Sequence, residues 1–157
     1  MIITATPISA KMKVISKHGN WNALTEKQKG KLICSIGSEP IKKTGKYKKR
    51  DRTYILVTHR PSSKNVISVL AGYTFKKSSE ASIKIGNKET KLFTNLGHAF
   101  AYDSKDDDNL VKSMIKGTTM IFKGTSSRGT KTIDTYSLSG FSAAYKVINT
   151  ACKVKKR

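Results

Sequence analysis

Residues 97–144 read GHAFAYDSKDDDNLVKSMIKGTTMIFKGTSSRGTKTIDTYSLSGFSAA, and the order of signals in them sets the fold class. A strand pattern, His-Ala-Phe-Ala-Tyr, ends at Asp103. Asp106, Asp107 and Asp108 then precede Leu110, Val111, Met114 and Ile115, and Gly117 follows. Acidic side chains satisfy free amide donors at a helix start and suit its positive dipole end, while glycine fits a left-handed cap. These residues predict a helix over about 107–116. On either side of Gly124–Lys131, TMIF and IDTYSL alternate as strands, and the glycine-bounded segment reads as the β-turn between them. Beyond it, Phe141, Ala144, Tyr145, Ile148 and Cys152 fall on one apolar stripe at helical spacing, which predicts a second helix over about 142–153.

Strand signals continue upstream: TYILVTH, NVISVLAGYTF, ASIKIG and KLFT follow one another, with turns at Pro61, Gly86-Asn87 and Asn95-Leu96-Gly97. In KLICSIGS, Leu32, Cys34 and Ile36 share one face of a further strand. Trp21, the only tryptophan, reads as a core anchor. Many short strands at near-regular spacing argue for a mainly β fold, an antiparallel β-sandwich of about eight to nine strands with two short helices. No repeat, low-complexity tract or linker divides residues 11–157, so a single domain is expected there.

The 157 residues carry 31 basic and 10 acidic side chains, a formal charge of +21. An apolar content of 37% supports a packed core despite that charge. No run of 18 apolar residues is present, so no transmembrane segment is expected. A field of this sign attracts nucleic acid, anionic lipid and acidic polysaccharide, although a solvated lysine surface is the simpler reading. Residues 39–52 form a basic loop with Lys42, Lys43, Lys46, Lys48, Lys49, Arg50 and Arg52, interrupted by Pro40 and Gly45. With Arg128 at the tip of the later turn, these are the candidate anion-binding residues.

Two cysteines, Cys34 and Cys152, cannot build a four-ligand zinc site, and no histidine is spaced to help. Buried free thiols and one long-range disulfide remain; an oxidising compartment favours the disulfide. Residues 1–10, MIITATPISA, end in Ile-Ser-Ala before Lys11 and lack a charged start, so they read as a signal-peptide remnant or a disordered N-terminus.

Tests for chemistry fail one by one. In GTSSRGTK the order of Thr130 and Lys131 reverses that of a phosphate-binding P-loop, and the segment precedes a strand instead of a helix. Counting from Asp103, calcium-loop positions three and twelve are Lys105 and Met114, which cannot serve. Ser137-Leu138-Ser139-Gly140 is not a nucleophile elbow, and no dinucleotide fingerprint follows any strand. No catalytic residue, metal or cofactor is expected; the chain reads as a non-enzyme.

The whole chain beyond residue 10 resembles the invasion-associated locus B family of exported bacterial proteins. Trp21 leading to Cys34, Arg50-Asp51-Arg52 before a Leu-Val-Thr strand, and His59-Arg60-Pro61 carry the resemblance upstream. Ala71-Gly72-Tyr73-x-Phe75 and Leu92-Phe93-Thr94 continue it, and residues 99–144 are its most specific portion. Phe100 departs from the tryptophan expected in many relatives. The resemblance implies a protein of the periplasm or cell envelope, or one released from the cell, with mostly β architecture and no established catalytic residues. It implies action by binding or a structural role toward an unidentified envelope or host partner; the alternative is a polyanion binder for lipopolysaccharide, anionic lipid or nucleic acid.

Overall fold

The computed structural model describes residues 12–47 and 49–154; the N-terminal segment 1–10 and Lys48 lie outside the described residues. Among the described residues the chain runs β1 (Lys13–His18), β2 (Trp21–Gln28), β3 (Lys31–Ser38), β4 (Lys42–Thr44), β5 (Tyr54–Arg60) and β6 (Ser63–Leu70). It continues through β7 (Glu80–Ile85), β8 (Lys88–Asn95), β9 (His98–Ala101), α1 (Ser104–Lys116), β10 (Thr119–Thr125), β11 (Lys131–Ser137) and α2 (Phe141–Ala151).

The fold is mainly β and antiparallel, as expected, with two helices. The strands number eleven rather than eight or nine, and they form one hydrogen-bonded sheet ordered β1-β2-β3-β5-β6-β9-β8-β7-β10-β11-β4. That sheet coils back on itself. Trp21 at the start of β2 donates its indole N–H to the Ser137 carbonyl at the end of β11, 2.9 Å away, and the Asn20 amide reaches the Ser139 carbonyl at 3.0 Å. The two expected layers are therefore two parts of one continuous sheet around a single core.

The two-residue alternation drives the burial. Met120 and Phe122 of β10 point into the core while Thr119 and Lys123 face water. Each large apolar side chain withdrawn in this way contributes on the order of 2 kcal/mol. Trp21 is fully buried, and its ring meets Phe141 of α2 edge-on at 4.9 Å, so α2 packs over β1, β2 and β3.

Both helices start earlier than their patterns suggested. The N-cap of α1 is Asp103, whose carboxylate accepts from the Asp106 amide at 2.8 Å. Gly117 ends the helix in extended backbone rather than the left-handed cap expected. Its lack of a side chain is used differently, since a Cβ there would lie 2.7 Å from Ile85 Cγ2.

Candidate functional site

The strand β3 and the end of α2 are joined by a disulfide between Cys34 and Cys152, with Cα atoms 6.1 Å apart and 118 residues between them in sequence. Cys34 lies on the inward face of β3 and Cys152 caps α2 on the stripe that faces the sheet. Beside this bond opens a cleft of about 410 Å³, lined among others by His59, Arg60, Lys64, Cys152 and Lys153.

His59 is the residue in this cleft with catalytic potential. It is buried at the end of β5, and both ring nitrogens are engaged. Nδ1 accepts from the Asn65 amide at 3.1 Å, and Nε2 therefore carries the proton and donates to Asn149 Oδ1 at 2.7 Å. Burial and the Lys64 charge hold its pKa below the ordinary value, against the Asn149 hydrogen bond. The network extends outward. Asn65 Nδ2 donates to Asp108 Oδ1 at 2.9 Å, the Tyr145 hydroxyl donates to Asn65 Oδ1 at 2.7 Å, and Asp107 Oδ1 accepts from the Ile67 amide at 3.0 Å. These bonds lock α1 and α2 onto β5 and β6. The two sulfurs are joined to each other and both imidazole nitrogens are engaged, so neither the cysteines nor His59 is free to act as nucleophile or proton acceptor in this arrangement.

The basic loop separates into two populations. Lys42 and Lys43 lie on the edge strand β4 with their side chains exposed, and Lys46 and Lys49 are exposed as well. Because β4 runs antiparallel to β11, Lys46 sits toward the end from which the Arg128 turn projects. That turn is built by Ser126, whose hydroxyl accepts from the Arg128 and Thr130 amides. Arg52 is exposed and pairs with Glu39 at 3.1 Å.

Arg50 corrects the expectation of a surface anion site. Its guanidinium forks onto Asp134 at 2.8 and 2.6 Å and donates from Nε to the Ala71 carbonyl at 2.8 Å, with the Asp134 side chain fully buried. Tyr47 and Tyr73 flank it, their ring centroids 5.8 and 5.1 Å from the guanidinium carbon. Burial works against the Arg50 charge, but the hydrogen bond and charge of Asp134 outweigh it and raise its pKa. Removing one member of such a pair typically costs about 3–5 kcal/mol, because the other stays buried and uncompensated. Arg50 is a structural clamp between the β4–β5 loop and β11.

One surface feature escaped the reading of motifs. On the outer face of β8 and β9, Phe93 and Phe100 stand directly opposite with centroids 5.6 Å apart; Tyr102 lies 5.5 Å from Phe93 and His98 stacks on Phe100 at 5.8 Å. Phe93 is 38% and Tyr102 52% exposed. The alternation held the signal: if Leu92 and Ala99 point inward, Phe93 and Phe100 must point out.

A family model described as invasion associated locus B (IalB) protein matches residues 21–149, spanning all of the elements above except β1 and the last two residues of α2. No curated protein matches the chain. Among solved structures, invasion associated protein b from Bartonella henselae is similar, with a TM-score of 0.63 at 15% identity over 88% of this chain and 96% of that one. At that identity the likeness speaks for the fold, while the family match covers most of the sequence. The chain belongs to the invasion associated locus B family.

Proposed function

We propose that the protein is exported to the bacterial periplasm or envelope, or released from it, and acts there without catalysis, by binding or as a structural element. The observation that carries this reading is the fate of its reactive groups. Cys34 is tied to Cys152, and His59 spends both ring nitrogens on internal bonds. A long-range disulfide suits an oxidising compartment. Among the described residues no helix is long and apolar enough to cross a membrane. Fractionation of the native host with rapid thiol blocking tests the reading: the chain is expected outside the cytoplasm with no titratable thiol. Recovery in the cytoplasm with two reactive thiols would overturn it.

A second reading, binding of a polyanion, has its own support. Among the described residues only three ion pairs form, so most of the lysines and arginines described there have no acidic partner within 4 Å. If several of them neutralise polymer charge, log affinity falls steeply with log salt.

A further inference from the structure

We propose that the outer face of β8 and β9 is a stacking platform for single-stranded nucleic acid; this rests on the polyanion reading and gives it a site. The cross-strand pair Phe93–Phe100 by itself would be explained by hairpin stability, to which facing aromatics contribute about 0.2–1 kcal/mol. Such a pair does not account for the run of rings from His98 through Phe100 and Phe93 to Tyr102. Phe93 and Tyr102 are also exposed, which leaves the run open to a partner.

Register places cations beside the rings. Lys91 precedes Phe93 by two residues and shares its face, and Lys91, Ser82 and Lys123 are aligned across β8, β7 and β10. One row of rings thus runs alongside a row bearing lysines, offset by roughly 7 Å along the strands. Two acids share the face: Glu89 pairs with Lys91 at 3.2 Å and offsets its charge, and Glu80, opposite Phe93, accepts from the Tyr102 hydroxyl at 2.6 Å. Lys84 and Lys123 stay exposed on the same face.

The shape selects among anions. An acyl chain needs a groove, and two clefts that could offer one, beside Cys152 and along α2, lie away from this face. An acidic sugar polymer can rest only C–H faces on a ring, and its charged substituents interrupt them. A nucleobase offers a flat ring that stacks on any aromatic, with phosphates spaced for lysine, and this is how sheet surfaces hold single strands.

The test compares fluorescently labelled oligo(dT), a duplex of matched length, and heparin, titrated by anisotropy over a salt series. Wild-type protein is expected to prefer the single strand. Phe93→Leu and Phe100→Leu, which keep apolar bulk, are expected to weaken oligo(dT) binding about tenfold per ring while leaving heparin affinity unchanged. Lys123→Gln is expected to reduce the salt slope on the single strand by about 0.7. Thermal melts matching wild type exclude misfolding. Ring variants that bind oligo(dT) like wild type, with heparin binding intact, overturn the platform and leave the polyanion reading standing. Failure of wild type to bind any of the three at low salt overturns both. Displacement of oligo(dT) by lipopolysaccharide micelles that themselves lose affinity in the ring variants overturns the nucleic-acid assignment in favour of a lipid occupant.

Discussion

Asp107 occupies the first turn of α1, yet its carboxylate points into the sheet and accepts from the Ile67 amide. Burial pushes its pKa up to about 6, against that hydrogen bond, with Asp108, Asp106 and Asp103 adding repulsion. A carboxyl raised by folding binds its proton more tightly in the native than in the unfolded chain. Its contribution to stability is complete below the unfolded value of 3.8 and is lost as pH rises through about 6. His59 has the opposite sign: lowered by folding, it stabilises fully above 6.5 and loses that contribution as pH falls through its native value. Asp107→Asn keeps an oxygen for the Ile67 amide and removes the charge. Its melting temperature is expected to match wild type near pH 4 and to exceed it progressively toward pH 7; a constant offset across that range would refute the account. The sequence placed aspartates at a helix start but not which one caps it. Asp103 does, while Asp107 and Asp108 serve the sheet, because only tertiary contact distinguishes them. Arg50 was hidden for the same reason, since its partner Asp134 lies 84 residues away and any of the loop cations had equal local claim to it.

At the scale of elements, strands with two-residue alternation were legible and the edges were not. Within β2, TEKQ reads as polar because its half-exposed end carries no apolar residue at alternate positions, so nothing in the pattern marks it as strand. The edge strand β4 is three exposed residues, Lys-Lys-Thr, and forms only because β11 offers it a ladder. Lysine on an edge discourages pairing with another chain, so the composition that disguised the strand also protects it. The junction before α2 is more demanding. Gly140 has φ of +90°, and a Cβ there would collide with the His18 carbonyl of the β1–β2 turn. This contact brings the two ends of the coiled sheet together beside the Trp21–Ser137 hydrogen bond. Left-handed backbone costs a non-glycine residue about 1–2 kcal/mol, before any clash is counted. Gly140→Ala is expected to lose at least that much stability in denaturant titration, whereas Gly129→Ala, at φ of +84° with no atom near its Cβ, loses only the backbone part. Equal losses at the two positions would show that the β1–β2 contact contributes nothing.

Across the whole molecule, the net charge of +21 and the disulfide act on the same quantity. Like charges repel most in the compact state, which lowers its stability. A bond linking residues 118 apart restricts the unfolded chain, and in the chain-entropy account a loop of this size stabilises the native state by about 4–5 kcal/mol before strain is subtracted. Reduction is then expected to lower the melting temperature by on the order of 10 °C, with a mobility change on non-reducing gels. Charge adds a salt dependence to this. A cross-linked unfolded chain keeps its lysines near one another, and reduction lets it expand and shed their repulsion. That relief is large when the screening length is about 30 Å, near 0.01 M salt, and small when it is about 3 Å at 1 M. The destabilisation on reduction should therefore be greater at low salt than at high salt. Melts of oxidised and reduced protein, with thiol titration to confirm each state, decide the matter. A salt-independent difference would mean that the bond acts through chain entropy and packing alone, and a difference that grows with salt would contradict the role assigned to the lysines.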